Sequence, residues 1–363
     1  MQGSLEKTPG KGYIIGRTFT GEPFRPARRE NSGAVRETVR NMKKIIITGT
    51  AGFIGFHAAR AFAARGWEVS GLDNFSDYYS VQLKRDRSAL LLRESGCQVR
   101  ELDICDLEGL RAFFASAAPD VVLHLAAQPS VRYAVTHPFV YQKSNLEGFL
   151  NVLECCRHAE KTPALIFASS SSVYGGSRKM PFEESDRVDT PVSLYAATKK
   201  ANELMAYTYS HLYKFQTIGL RFFTVYGTWY RPDMALSLFA DAMLHDRPIK
   251  VFNHGDMRRD FTYVDDIVDG ILRVAEAREK LPQFDIYNIG NHRSEKLLDV
   301  IETLARALGV RPRMEMLPMQ PGDVYATYAS VEKLRQAVGY EPRTSISEGI
   351  PVFAEWYRRY HRL

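Results

Sequence analysis

The run Ile45-Ile46-Ile47-Thr48-Gly49-Thr50-Ala51-Gly52-Phe53-Ile54-Gly55 constrains this chain more than any other. Three β-branched residues in a row predict a strand buried on both faces, and glycines at 49, 52 and 55 predict a tight turn into a helix. Gly49 lets the chain turn, Gly52 opens backbone N–H groups to a close anion, and Gly55 lets the helix lie against the strand. The helix start adds partial positive charge and unpaired donors, which suit a pyrophosphate. About 20 residues on, Val69-Ser70-Gly71-Leu72-Asp73 ends in a carboxylate. Asp73 is placed to accept hydrogen bonds from an adenosine ribose and to repel a 2′-phosphate. A lone glycine pattern is a weak signal, but strand, turn, helix and acid in this order predict dinucleotide binding, with NAD favoured over NADP.

The same rhythm continues downstream. Short apolar runs at 44–47, 68–72, 98–102, 121–125, 164–168, 217–222 and 285–289 alternate with helix-length amphipathic stretches. This pattern predicts an α/β fold, a doubly wound Rossmann-type parallel sheet of about seven strands. Asp103 and Ile104 follow the third strand, where the carboxylate meets an adenine amine. Leu125, Ala126 and Ala127 follow the fourth, small residues over which a cofactor lies flat. After Phe223 the connections become irregular, with Gly227, Pro232, Pro248, Gly255, Pro318, Pro321 and Gly322. The expected organisation is a flexible basic extension over 1–41 and an NAD-binding domain over 42–223, to which 264–290 adds a helix and a strand. A smaller, discontinuous substrate-binding region over 224–263 and 291–363 then caps the carboxyl edge of the sheet.

Composition narrows the function classes. The 363 residues carry a net charge of +6, yet residues 1–41 hold eight Lys/Arg against four Asp/Glu, so the remainder is close to neutral. The basic balance is therefore no argument for nucleic-acid binding by the folded part. No apolar run approaches the ~20 residues that cross a bilayer. Cys97, Cys105, Cys155 and Cys156 form no C-x-x-C pair, which predicts free thiols and a cytoplasmic protein. Nine histidines lack ligand spacing with cysteines or acids, so no metal is expected.

The chemistry concentrates in two further segments. Ala168-Ser169-Ser170-Ser171-Ser172-Val173-Tyr174-Gly175 ends the fifth strand with four hydroxyls. Tyr195-Ala196-Ala197-Thr198-Lys199 then puts a phenol and an ammonium four residues apart, on one face of a helix. The Lys199 charge and an oxidised nicotinamide are expected to pull the tyrosine below its ordinary value near 10, so that it serves as a general base. Tyr-x-x-x-Lys occurs by chance on many helices; the glycine turn and the serine-rich strand end give it meaning here.

From about residue 43 to 360 the chain resembles the extended short-chain dehydrogenase/reductases. It is most similar to the nucleotide-sugar 4-epimerases that act on UDP-glucuronate. The resemblance is carried by Gly71-Leu72-Asp73-Asn74, Asp77-Tyr78-Tyr79, Ser171-Ser172-Val173-Tyr174-Gly175, the stretch from Pro191 to Lys200, Arg221-Phe222-Phe223-Thr224-Val225-Tyr226-Gly227, Arg231-Pro232-Asp233-Met234-Ala235, Arg259-Asp260-Phe261-Thr262-Tyr263 and Gln320-Pro321-Gly322-Asp323-Val324. It implies Ser170, Tyr195 and Lys199 as catalytic residues, since the family's hydroxyl lies 25 residues before the tyrosine. The expected NAD contacts are Gly49, Gly52, Phe53, Ile54, Gly55, Asp73, Asn74, Asp103, Ile104, Leu125, Ala126, Ala127, Gln128, Ser144, Tyr195, Lys199 and Phe223. Expected substrate contacts are Arg132, Ser170, Ser171, Ser172, Thr224, Arg231, Arg259 and Asp323. A homodimer is implied, through the helices 145–158 and 195–213 and their aromatics Tyr207, Tyr209 and Tyr213.

The branch is argued from side chains that are missing. Similar 4,6-dehydratases have Asp-Glu in the two positions after the triad hydroxyl, and UDP-glucuronate decarboxylases have Glu at the second. Here these are Ser171 and Ser172. Without an acid to divert it, a 4-keto sugar turns over and takes hydride on its other face. Thr224 stands where UDP-galactose 4-epimerases usually have Asn, which favours a uronate. Gln320 replaces an arginine of the galactose-type enzymes, removing one cation from the diphosphate. The expected activity is NAD-dependent interconversion of UDP-glucuronate and UDP-galacturonate. The alternatives are a UDP-glucose/UDP-galactose 4-epimerase, a UDP-glucuronate decarboxylase and, more remotely, a non-catalytic NAD-binding module.

Overall fold

Seven parallel strands form the frame: β1 (Lys44–Thr48), β2 (Glu68–Asp73), β3 (Val99–Glu101), β4 (Val121–His124), β5 (Ala164–Ser170), β6 (Thr217–Phe222) and β7 (Phe284–Ile289). A computed structural model describes residues 42–319 and 325–363. The extension expected over 1–41, and Asp323, lie outside the described residues. The strands are ordered β7-β6-β5-β4-β1-β2-β3, each within two residues of its expected ends. The register starts from Ile47 beside Gly71 of β2 and Leu123 of β4.

Each strand reads as an apolar run because each is covered twice. Ile45, Ile47, Val121, Leu123 and Ile166 face one core, while Ile46, Val122, Leu165 and Phe167 face the other. Alternate side chains of one strand point to opposite faces, so a sheet covered by helices on both sides needs every position apolar. Helices Phe53–Ala64, Val81–Ser95, Leu107–Ala117, Gly148–His158, Leu194–Tyr213 and Val264–Ala277 supply the covers. Ser80, Asp106 and Ser193 cap three of them by accepting a backbone N–H in the first turn. Strand order reverses between β1 and β4, and a crevice opens there at the carboxyl edge.

After Phe223 the chain forms three short strand pairs: Thr224–Tyr226 with Phe261–Tyr263, Arg258–Arg259 with Glu295–Lys296, and Ile249–Val251 with Met314–Met316. Helices Leu297–Leu308 and Ile346–His361 bury Val300, Leu304, Ile350 and Phe353 in the larger core, continuous with β1.

Two local expectations change. β5 runs on through Ser170, and Ser171–Tyr174 is a 3₁₀ turn. The helix expected from Asn145 instead begins as a π turn over Gln142–Glu147 and becomes α-helical at Gly148. The wide turn contains Asn145, whose carbonyl accepts from Asn202 Nδ2 at 2.7 Å, a tertiary bond that sequence periodicity does not reveal.

Candidate active site

A single cavity of about 1250 Å³ lies along the carboxyl edge. It is lined by Gly49, Gly52, Phe53, Ile54 and Gly55 after β1, Asp73 and Asn74 after β2, and Asp103 and Ile104 after β3. Leu125, Ala126, Ala127, Gln128, Arg132 and Ser144 follow from the β4 side. Ser170, Ser171 and Ser172 close β5, with Tyr195 and Lys199 on the next helix, and Phe223, Thr224, Arg231 and Arg259 complete the wall. Every described residue expected to contact cofactor or substrate thus lines one space, larger than the usual 300–1,000 Å³ of a ligand pocket.

The turn after β1 shows why glycine is needed. Gly49 sits at φ +72°, and a Cβ there would lie 2.8 Å from Ala126 N. A Cβ on Gly55 would lie 2.1 Å from the Gly49 carbonyl, so the helix could not approach the turn. Gly52 precedes the helix at Phe53 with no side-chain cap, leaving the helix start turned to the cavity. Thr48 ties this turn to the β4 loop. Its hydroxyl accepts from Leu125 N at 3.2 Å and Ala126 N at 3.1 Å and donates to His124 Nδ1 at 2.9 Å. Burial holds His124 down at about 3, so the ring is neutral, and because Thr48 Oγ1 already accepts two backbone N–H groups its own hydrogen is left for Nδ1.

Asp73 receives Ala51 N at 3.1 Å and Phe75 N at 2.8 Å. Burial pushes its carboxyl up, against the nearby Lys84 charge and these two bonds. Asp103 accepts from Asn74 Nδ2 at 3.0 Å. A cradle closed to any Cβ, an uncapped helix start and a carboxylate at the end of β2 fit the pyrophosphate and adenosine ribose of a dinucleotide.

Tyr195, Ser170 and Lys199 stand at the other end. Burial pushes the Tyr195 phenol up, opposed by a hydrogen bond with Ser170 and by the Arg231 charge. The Lys199 ammonium donates to the Ala168 carbonyl at 2.9 Å, and burial lowers it to about 8. Desolvation is the largest influence on both groups, against the charged form in each case. Ser170 Oγ donates to Ser172 Oγ at 3.1 Å and accepts from Ser172 N at 3.2 Å, which fixes the serine turn.

Farther along the cavity wall, Arg231 binds Asp233 through two nitrogens, at 3.0 and 2.5 Å. Tyr78 donates its hydroxyl to the same carboxylate at 2.9 Å. Arg259 Nη1 donates to the carbonyls of Arg258 and Tyr325, and its short strand pairs with Glu295–Lys296. Asp260 beside it is fully buried and accepts from Asn291 N, Thr262 Oγ1 and Ala329 N. Burial pushes that carboxyl up to about 6, against these bonds.

The profile of the NAD dependent epimerase/dehydratase family matches residues 45–290. The chain belongs to that family. UDP-glucuronate 4-epimerase 2 of Arabidopsis thaliana is 44% identical over 361 residues, covering 95% of this chain and 82% of its own. Protein CapI of Staphylococcus aureus is 46% identical over 334 residues, covering 88% of this chain and 99% of its own. Among solved structures, the Bacillus cereus UDP-glucuronic acid 4-epimerase in complex with UDP-glucuronic acid and NAD superposes with a TM-score of 0.81 at 32% identity. That superposition covers 87% of this chain and 99% of the other. NAD is the cofactor of this family member.

Three groups of this epimerase/dehydratase site escaped sequence reasoning. Lys84 lines the cavity beside Asp73 and is lowered by burial. Asn145 accepts Gln128 N at 2.8 Å and donates to Thr198 Oγ1 at 3.0 Å, joining the β4 loop to the Tyr195 helix. Amide side chains leave no periodic trace, so nothing in the sequence marked it. Glu203 receives Ser169 Oγ at 2.6 Å and Arg221 at 2.8 and 2.9 Å, deep behind the β5 end. Burial works against this carboxylate, yet Arg221 holds it below its ordinary range. Its signal was available: Glu203 follows Lys199 by four residues, on the same helix face as Tyr195.

Proposed function

We propose that this chain is an NAD-dependent UDP-glucuronate 4-epimerase. The observation that carries the reading is the shared wall of Tyr195, Ser170 and Lys199 with three further hydroxyls, Ser171, Ser172 and Thr224. NAD supplies the redox chemistry, taking hydride from carbon 4 of the sugar and returning it. Tyr195 holds the proton of the 4-hydroxyl, first as base and then as acid. Ser170 donates to the sugar oxygen and orients it. Lys199, once the site is loaded, contributes positive charge beside the phenolate.

A uronate poses a particular hazard, because its 4-keto form is a β-keto acid prone to lose CO₂. Ser171, Ser172 and Thr224 hold the carboxylate with neutral donors and keep the bond to it out of line with the ketone π system. Asp233, one of the lining carboxylates, is engaged by Arg231 and Tyr78 and so is not free to divert the ketone. Arg231 and Arg259 bind the diphosphate, for which the planar guanidinium fork is suited. The sugar can then rotate while its nucleotide stays held.

The reading extends to organisation. Residues 42–223 with 264–290 bind NAD, and 224–263 with 291–363 bind the UDP-sugar. The enzyme pairs as a homodimer through the helices Gly148–His158 and Leu194–Tyr213, where Leu204, Tyr207 and Leu212 are more than half exposed. Tyr209 is engaged within its own chain, donating to Glu154 at 2.6 Å. All four cysteines are unpaired, which favours a cytoplasmic enzyme, and among the described residues no helix is long and apolar enough to cross a membrane.

Product analysis of the purified protein with UDP-glucuronate, UDP-glucose and UDP-galactose, without added NAD, tests this. UDP-galacturonate is expected from the first, with no CO₂ and no net NADH. A UDP-pentose with CO₂, or conversion confined to the neutral sugars, overturns it.

A further inference from the structure

The loop that delivers Arg231 is tied to distant parts of the chain as well as to its neighbour Asp233. Two side chains from the cofactor half reach it. His57, on the helix that starts at the glycine turn, donates from Nε2 to the Thr228 carbonyl at 2.9 Å. Arg87, on the following helix, donates from Nη2 to the Trp229 carbonyl at 2.5 Å. Trp229 lies at φ +56°, a conformation that a bulky residue keeps only when its surroundings impose it.

Packing repeats the link. Phe53 meets Tyr230 edge-on at 5.0 Å, and Phe56 meets Trp229 at 5.4 Å. The cofactor helix and residues 228–230 thus form one packed unit, and Arg231 is the next residue.

Arg87 is unusual in what it lacks. It is fully buried, pairs with no carboxylate within ion-pair distance among the described residues, and leaves Nε without a partner. Its other donors go to the Ala51 carbonyl inside the glycine turn and to Tyr79 Oη, both at 2.9 Å. A buried cation of this kind costs stability, and aliphatic packing would serve a purely structural role better. One guanidinium touches both the turn that takes the pyrophosphate and the loop that takes the substrate diphosphate. Burial holds His57 down at about 3, so its neutral ring keeps the Nε2 proton for Thr228. Nδ1 faces Asp265 at 4.0 Å.

We infer that Arg87 and His57 are positioning residues that fix the 228–230 backbone to the glycine turn and thereby set Arg231 in register with the bound cofactor. The inference rests on the reading of Arg231 as a diphosphate ligand. Steady-state kinetics of the holoenzyme with UDP-glucuronate test it, using Arg87→Lys, His57→Phe, Arg231→Ala and their doubles.

Arg87→Lys is expected to raise KM about tenfold with kcat within about threefold, the signature of lost binding that acts equally on ground and transition states. It is also expected to loosen NAD, because the contact to Ala51 goes too. His57→Phe retains the ring between Phe53 and Phe56 and loses only the donor. It is expected to raise KM while NAD retention stays at the wild-type level, and it carries the test if Arg87→Lys does not fold. Combined with Arg231→Ala, neither is expected to add a further effect on KM. Effects that multiply independently, or an unchanged KM with only a lowered melting temperature, overturn the positioning role. An unchanged KM in Arg231→Ala itself overturns the diphosphate reading, and the positioning role with it.

Discussion

The Tyr195 phenol is pushed up by desolvation, against a hydrogen bond with Ser170 and the Arg231 charge. Positive charge placed beside such a phenol favours its ionised form. Tyr195→Phe removes the proton carrier with little change of volume. Epimerisation is expected to fall by roughly 10²–10⁴-fold, with UDP binding, read by calorimetry, unchanged. The Lys199 ammonium, lowered to about 8, is charged below that pH and neutral above it. If its charge supports the phenolate, kcat/KM falls as pH rises through about 8; a profile flat to pH 10 contradicts the role. The meeting of Ser170, Tyr195 and Lys199 in one cavity was legible because strand end and helix spacing mark them. Their electrostatics were not, since desolvation depends on what the fold packs around each group.

Among the elements, the seven strands were legible to within two residues, because a sheet covered on both faces leaves an unbroken apolar run. The π turn at Asn145 and the extension of β5 through Ser170 were not, because tertiary bonds set them. The Glu203–Arg221 pair acts at this scale. It binds the Tyr195 helix to β6 and, through Ser169, to the end of β5, and both members are only 3% exposed. Removing one partner leaves the other charged and buried. Glu203→Ala is therefore expected to cost about 3–5 kcal/mol of stability by denaturant unfolding. Replacing both members by apolar residues of similar volume is expected to recover most of it. A loss below 1 kcal/mol in Glu203→Ala would show that the pair does not fasten these elements.

For the whole molecule, the sheet and its caps form one unit from Met42 to Leu363, and the segments before and after Phe223 share a core. The irregular part after Phe223 was legible only as irregular: its strands of two and three residues carry no period. The exposed Leu204, Tyr207 and Leu212 form the outer face of the Tyr195 helix. Leu204→Lys with Leu212→Lys is expected to convert a dimer to a monomer in light scattering; an unchanged mass would place the contact elsewhere. The central claim is that one hydride leaves carbon 4 and returns to the other face of that carbon. UDP-glucuronate deuterated at carbon 4 tests it most directly, followed by NMR in ordinary water. The expected product is UDP-galacturonate with the deuterium still on carbon 4, whereas loss of the label to solvent would contradict hydride return.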